Sequence, residues 1–496
     1  MADNKKFDLI VIGGGPAGYV AAIRAAQMGK AVACVERDKL GGVCLNWGCI
    51  PTKALIAGAE LYAKLKHEGE QFGIKAEGLT YDWDKVIGRS RNVASNLNKG
   101  VAGLFKKNKI THVQGHAFIP KAGTVEIYDP KDVDAAPAKD NDDQPVDVKF
   151  KGKAQQTLTA DKILIATGAA PRPLPSTPFD GEKVISSKQA MNLPQRPDKL
   201  LIVGSGAIGM EFAYFYNAFG TQVTVVEMLD RVLPVEDRDV SDAALKAFKK
   251  QGINVLTGHV TKSIDVTDQG IKATIAKAND DGKTQTVEAD KVLVAIGVRG
   301  RFDGLFTADL GLELIKGHIK TPYRDPGATY ETSIKGIYAV GDVIGPPWLA
   351  HVASEEAIVA VERMFGHEAP DIDYQAIPGC TYCQPQVASI GFTEQQCKDD
   401  GIEYTVGKFP YLASGKAQAM GDTTGFVKLI TSKKHGEILG CHMIGEGVTE
   451  LIAEIGLAKR LEATADELIS TMHAHPTMSE AVHEAALGTD GRMIHL

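Results

Sequence analysis

The chain has 496 residues, 44% of them apolar and 24% charged, with a net charge of −7. That length suits about three domains with buried cores. The composition excludes a disordered chain, a collagen-like repeat and a disulfide scaffold, and no clustered basic surface recommends a nucleic-acid partner. The 52 glycines point to many tight turns and close backbone approaches to a ligand. Seven cysteines, odd in number and sparse, do not make a secreted framework. No apolar run reaches the ~20 residues of a membrane span, and MADNKK enters a strand pattern directly, without a signal or transit segment. The expectation is a soluble protein of a reducing compartment, the cytoplasm; a processed mitochondrial chain would read the same.

Phe7 to Ile12 reads as a buried parallel strand, because it lacks polar alternation. Gly13, Gly15 and Gly18 follow as G-x-G-x-x-G, then a helical pattern from Ala17 to Met28 and a strand ending at Glu36. In this context each glycine has a physical task. Gly13 permits the tight turn, Gly15 lets backbone approach a pyrophosphate, and Gly18 lets helix and strand pack closely. The helix N-terminus offers unpaired N–H groups to phosphate, and Glu36 can accept bonds from a ribose. Next comes LGGVCLNWGCIPTKAL, with Cys44 and Cys49 separated by four residues, flexible glycines before them and helix entry near Cys49. The pair can be read as a redox-active disulfide whose thiolate the helix dipole favours. Two buried thiols, or half of a metal site, are the other readings, although no second Cys/His pair stands nearby. Cys34 reads as packed core.

The acidic, proline-containing stretch 129–147 reads as an exposed loop. APRPLPSTP then crosses into a second copy of the nucleotide pattern, with Gly204, Gly206 and Gly209 between strand and helix and an acid, Glu227, at the same interval as Glu36. Two copies with matched acids are far more specific than one, and they suggest one bound and one exchanged dinucleotide. Glu227 suits a free ribose and repels a 2′-phosphate, so the second site favours NAD, with Arg231 nearby as a counterweight. IYAVGD reads as a buried strand delivering Asp342. Cys380 and Cys383 in PGCTYCQPQ read as part of a strand edge. VTELIAEIGLAKRLEATADELISTM has helical spacing. In TMHAHPTMSEAVHEAA, Pro476 suggests a turn with a helix beginning shortly after it, and Glu480 stands where it could orient His475 as an acid/base group; satisfied surface histidines are the alternative, and His483 reads as structural.

Taken together, GGGPAG, GGVCLNWGCIPTK, ILIATG, GAIGME, ETSIKGIYAVGD and HAHPTMSE resemble the pyridine nucleotide–disulfide oxidoreductase family over nearly the whole chain. The motif order is similar to the branch that reoxidises protein-bound dihydrolipoamide. The resemblance implies tightly bound FAD on Gly13, Gly15, Gly18 and Glu36, with Asp342 near its ribityl or phosphate part, and exchangeable NAD on Gly204, Gly206, Gly209 and Glu227. It implies Lys53 beside the flavin with Glu211 as ionic partner, Cys44 as the interchange sulfur, Cys49 over the flavin, and His475 as general base oriented by Glu480. His475 and Glu480 would serve the other subunit of a homodimer. The implied partner is the lipoyl-bearing acyltransferase of a 2-oxo acid dehydrogenase complex, with no nucleic acid, membrane or metal. GVRGRFDG departs from the usual family form. A glutathione-type reductase would carry basic residues at Glu227, a mercuric reductase a C-terminal cysteine pair, and a flavin-binding scaffold would need none of the sulfur and imidazole groups.

The expected fold is α/β, two doubly wound nucleotide-binding domains plus a C-terminal α+β dimerisation domain. The expected boundaries are 1–160 for the first part of the FAD domain, 161–290 for the NAD domain, 291–360 for a central segment completing the FAD side, and 361–496 for the dimerisation domain.

Overall fold

A computed structural model describes residues 6–135 and 148–496. The chain forms two compact units, each drawn from several segments. The first takes its described residues from Met1–Thr52, Gly88–Arg172 and Gly297–Ile372; the second comprises Lys53–Ile87, Pro173–Ile296 and Asp373–Leu496.

At the centre of the first unit lies the strand Lys6–Ile12. It pairs in parallel with Val32–Glu36 on one side and Gln156–Ile165 on the other, so that Ile10 stands opposite Ala33 and Ile163. All three residues are fully buried, as expected of a strand covered on both faces. Thr111–Gln114 extends the sheet beyond Val32–Glu36, and Ile337–Ala339 joins the far end of Gln156–Ile165. The helices Pro16–Gln27 and Ala350–Met364 bury alanines in this core, among them Ala21, Ala25, Ala357 and Ala360. Small side chains there let helix backbone approach the sheet closely.

The second unit repeats the plan. Its parallel sheet runs Val184–Ile185, Lys291–Val294, Lys199–Val203, Gln222–Glu227, Asn254–Thr257. The helix Ala207–Ala218 is buried on almost every side, as its sequence, apolar but for Glu211 and Asn217, requires. Farther on, an antiparallel sheet carries Gly379–Thr381, Val387–Gly391, Ile438–Ile444, Phe426–Ser432 and Tyr404–Pro410 in that spatial order. The helix Glu480–Thr489 lies flush on it: a Cβ at Gly407 would sit 1.8 Å from the Ala485 carbonyl oxygen. Among the described residues no helix is long and apolar enough to cross a membrane.

The units divide the chain differently from the sequence boundaries, for structural reasons. Strand Gln156–Ile165 passes through residue 160 unbroken, and Ala169–Pro171 pairs with Val298–Gly300, so the first unit continues to Arg172. Residues 53–87 belong to the second unit because Leu55, Ile56 and Ala59 are buried in one core with Met210, Phe212 and Phe215. At the start of the acidic stretch Pro130–Asp132 forms a 3₁₀ turn, and Val133–Ala135 pairs with Val148–Phe150. The rest of that expected loop lies outside the described residues. The long helical pattern after residue 447 splits into Val448–Arg460 and Ala465–Ser470. Thr464 starts the second helix with a capping box closed by Glu467, a reciprocal pair of bonds that competes with helix continuation.

Candidate active site and nucleotide cradles

The two glycine turns have matching geometry. Gly13 and Gly204 both have φ +102°, and an added Cβ would lie 2.3 Å from the Ala166 oxygen in one and 2.4 Å from the Ala295 oxygen in the other. At Gly18 a Cβ would meet the Gly13 oxygen at 1.8 Å, and at Gly209 the Gly204 oxygen at 2.1 Å. These helices can therefore approach their strands only with glycine at both places. Gly15 and Gly206 precede the helices as N-caps without a side-chain bond, which leaves backbone N–H groups facing the turn.

Each acid closes its own turn. Glu36 accepts from Gly14 N–H at 2.7 Å and from Asp38 N–H at 2.7 Å. Glu227 accepts from Ser205 N–H at 2.8 Å, from the Ser205 hydroxyl at 2.9 Å and from Leu229 N–H at 2.9 Å. Both carboxylates are buried at the C-terminal end of the strand that follows the helix of their glycine turn. The bonds fix the carboxylate plane, and lone pairs beyond them can accept ribose hydroxyls. Arg231 lies 4.0 Å from Asp230.

In the first unit Asp342 sits in the 3₁₀ turn Gly341–Ile344, and burial pushes its carboxyl up to about 6. Gly341, at φ +76°, donates its N–H to Glu356 at 2.7 Å. Glu356 is almost wholly buried on helix Ala350–Met364 and so holds the turn that presents Asp342. Its signal in the sequence is an acid on the inward face of an alanine-rich helix.

Cys44 lies in the short helix Gly42–Trp47, and Cys49 opens the helix Cys49–Ala63. Gly48 separates them with φ −149° and ψ −115°. Both are half-buried thiols. Gly41 and Gly42 have φ of +90° and +56°, and a Cβ on Gly42 would reach within 2.6 Å of the Gly15 Cα. The cysteine segment is thus packed on the first glycine turn, where Gly41 N–H also donates to the Gly14 oxygen at 2.7 Å. Asn46 pins the segment by donating to the carbonyls of Leu40 and Gly42. Tyr19, on the helix after the turn, has its phenol pKa raised by burial and then by Cys44.

The second unit holds the remaining groups. Lys53, about one turn beyond Cys49 in the chain, makes a two-pronged salt bridge to Glu211 at 2.8 and 2.9 Å. Tyr382 completes the arrangement: its N–H donates to Glu211 at 3.1 Å, and its ring lies 4.4 Å from the Lys53 ammonium. Cys380 and Cys383 do not form one centre. Cys380 packs toward the antiparallel-sheet core and Cys383 lies in the core of the nucleotide sheet, so they serve packing.

Near the C-terminus, the His475 Nδ1 lies 2.9 Å from Glu480 Oε1, and Thr477 N–H donates to Glu480 Oε2 at 2.9 Å. Burial works to raise the Glu480 pKa, but the Thr477 N–H and the His475 ring leave it below its usual range. At neutral pH it is an anion. An acceptor at Nδ1 assigns the ring proton there and leaves Nε2 as the base, on a side chain 77% exposed. His473 differs, with both nitrogens engaged by Thr471 O and Glu454. His483 bonds the Ile469 carbonyl and is structural.

Two family models cover the chain: pyridine nucleotide-disulphide oxidoreductase over residues 7–357, and the dimerisation domain of the same group over residues 377–486. The dihydrolipoyl dehydrogenases of Rhizobium etli and Zymomonas mobilis are both 42% identical, the first covering 99% of each chain and the second 100% of each. LpdA from Mycobacterium tuberculosis superposes with a TM-score of 0.84 at 26% identity, over 96% of this chain and 98% of that one. The flavoprotein disulfide reductase RclA of Escherichia coli, at 23% identity and a TM-score of 0.80, shares the fold. Paired glycine cradles, their acids and these full-length matches agree, and the chain belongs to the pyridine nucleotide-disulphide oxidoreductase family.

Proposed function

We propose that the chain works as a dihydrolipoyl dehydrogenase: a homodimer that reoxidises dihydrolipoamide carried on the acyltransferase of a 2-oxo acid dehydrogenase complex and reduces NAD. The observation that carries the reading is the His475–Glu480 bond, which leaves an exposed Nε2 as a base for a thiol. The first cradle fits FAD, because its Gly13–Gly18 turn has no room for side chains and Glu36 and Asp342 stand at its edges; the second fits NAD through Gly204, Gly206, Gly209 and Glu227. FAD supplies the two-electron acceptor for the sulfur pair, and NAD the outgoing hydride carrier.

The protein's own residues handle the sulfur chemistry. His475 Nε2 removes a proton from one substrate thiol. The thiolate attacks Cys44 in a Cys44–Cys49 disulfide, a mixed disulfide forms at Cys44, and Cys49 leaves as thiolate. The second substrate thiol attacks the mixed disulfide and releases cyclic lipoamide; His475 passes its first proton to the leaving Cys44 sulfur and takes up the proton of this second thiol, so the site ends with a Cys44 thiol, a Cys49 thiolate and a protonated His475. Lys53, held by Glu211 and Tyr382, keeps a fixed positive charge one turn from Cys49 along the helix.

The test is a comparison of initial rates with lipoamide, glutathione disulfide and mercuric ion, each with NADH and with NADPH. Lipoamide with NADH should exceed every other combination by about 100-fold, the scale on which a pocket discriminates by the fit of its substrate. Faster turnover of another acceptor, or of NADPH, would overturn the reading. A separate measurement addresses the first cradle. Gly18→Ala places a methyl against the Gly13 oxygen, so the variant should purify without flavin colour, and strain of this kind costs about 1–3 kcal/mol. A Gly18→Ala protein as yellow as wild type would contradict the cradle assignment.

A further inference from the structure

The segment after Glu227, residues 228–237, links the ribose acid to the helix Arg238–Lys250. It carries Arg231 and is tied down at several points. Leu229 N–H donates to Glu227, and Leu229 O accepts from Gly258 N–H at 2.7 Å. Asp230 pairs with Arg238 at 2.7 Å. Leu233 is buried at φ +46°, a left-handed conformation that costs a non-glycine residue strain. Hydrogen bonds hold it there: its N–H donates to the Ser205 carbonyl at 3.0 Å, and its carbonyl accepts from Glu236 N–H at 2.9 Å and from the Ser241 hydroxyl at 3.3 Å. Ser205 is the residue whose N–H and hydroxyl grip Glu227.

The far end of the segment is anchored from the dimerisation-domain sheet. Asp237 caps the helix through Asp239 N–H and accepts from Glu394 N–H at 3.1 Å. Lys428, on the buried strand Phe426–Ser432, reaches Asp237 at 2.8 Å, Glu394 at 2.7 Å and Asp239 at 3.1 Å. Its three ammonium hydrogens thus meet three carboxylates, and its side chain is only 2% exposed. Lys408 adds a bond to Asp239 at 3.0 Å. A buried ion cluster of this kind is a weak stabilising device, since apolar residues of similar volume do as well or better. What it supplies is a fixed position.

We propose that Lys428 is a positioning residue for the pyridine nucleotide: by fixing Asp237 it holds the strained Leu233 turn against Ser205, so that the dimerisation domain sets the affinity of the Glu227 site. The inference rests on the reading of that cradle as the NAD site. The experiment titrates NAD calorimetrically into oxidised holoenzyme and measures steady-state constants for wild type, Lys428→Met and Ser241→Ala. Lys428→Met should weaken NAD binding and raise its KM about 5- to 10-fold, the scale on which packed networks modulate a remote site. Its kcat and its KM for dihydrolipoamide should stay at wild-type values, a split that general loss of structure would not give. Ser241→Ala removes one tie on the same turn and should weaken NAD binding about 2- to 3-fold; it carries the test if Lys428→Met does not fold. NAD affinity unchanged in the folded variants overturns this inference alone. A wild-type holoenzyme that binds no NAD overturns the cradle assignment and this inference with it.

Discussion

Cys44→Ser is expected to bring NAD-linked oxidation of dihydrolipoamide below about a thousandth of the wild-type rate, the scale of loss seen when a covalent nucleophile is removed. That factor corresponds to about 4 kcal/mol of transition-state stabilisation. A serine hydroxyl cannot form the mixed disulfide, so no electrons reach the Cys49 sulfur from substrate. The exchange is nearly isosteric, and backbone and neighbouring side-chain contacts hold the flanking structure. Gly41 and Gly42 set the backbone path against Gly15, and Asn46 holds the short helix to Leu40 and Gly42. The variant should therefore purify with a full complement of flavin and still pass electrons from NADH to an artificial acceptor. Measuring both activities together with flavin content separates loss of the sulfur step from loss of the cofactor. Full dihydrolipoamide turnover by Cys44→Ser would show that the Cys44–Cys49 pair is not the redox couple.

How much of this was legible in the sequence depends on the range of each interaction. The glycine turns are local and steric. Gly13 and Gly18 lie within one turn-helix unit, and the clash that excludes other residues is written in their spacing. Glu36 and Glu227 are legible because the strand–helix–strand unit has a fixed length, which makes the acid fall at the same interval twice. The His475–Glu480 bond spans five residues and could be drawn from the sequence; the tautomer it selects needed the distance. Lys53 and Glu211 are 158 positions apart, and nothing in either local pattern announces the pairing, so it entered through resemblance alone. Tyr382 and Glu356 were missed, since a tyrosine between two cysteines and a glutamate in an alanine-rich helix pass as ordinary residues. Lys428 was missed for a sharper reason. A lysine in a strand is read as pointing to water, and only the convergence of Asp237, Asp239 and Glu394 on it shows otherwise.

The segmentation of the chain shows a different limit. A parallel sheet collects strands from distant segments, which the expected return of 291–360 to the first nucleotide domain already supposes, but the exact limits of each contribution are set by pairing and packing. Ile337–Ala339 joins the sheet that holds Lys6–Ile12, and Leu55 and Ile56, early in the chain, belong to the core of the second unit. The Pro-rich crossing marks where the chain changes course, but strand pairing at Ala169–Pro171 decides where the first unit stops.

His475→Gln should lower the rate by about 100- to 10,000-fold near neutral pH, the range assigned to a positioned general base. The form of the pH profile is the more telling measurement. A free thiol has a pKa of about 8.5 and is only a few per cent thiolate at pH 7. In wild type, Nε2 takes the thiol proton within the complex, and the Glu480 anion behind Nδ1 stabilises the resulting imidazolium. In His475→Gln, only thiolate already formed by solvent can react, so its rate should climb about tenfold per pH unit until the substrate thiol has ionised. The gap between variant and wild type should therefore shrink as pH rises. Glu480→Gln should cost less, about tenfold, because a carboxamide oxygen still accepts the Nδ1 proton but supplies no charge. The carboxyl pKa lies below its usual range, so the charge contribution of Glu480 is fully present above the ordinary glutamate pKa of about 4.3 and is lost only as pH falls through the lowered value. A His475→Gln profile running parallel to wild type at all pH values would remove the imidazole from the proton transfer and leave it a role in packing.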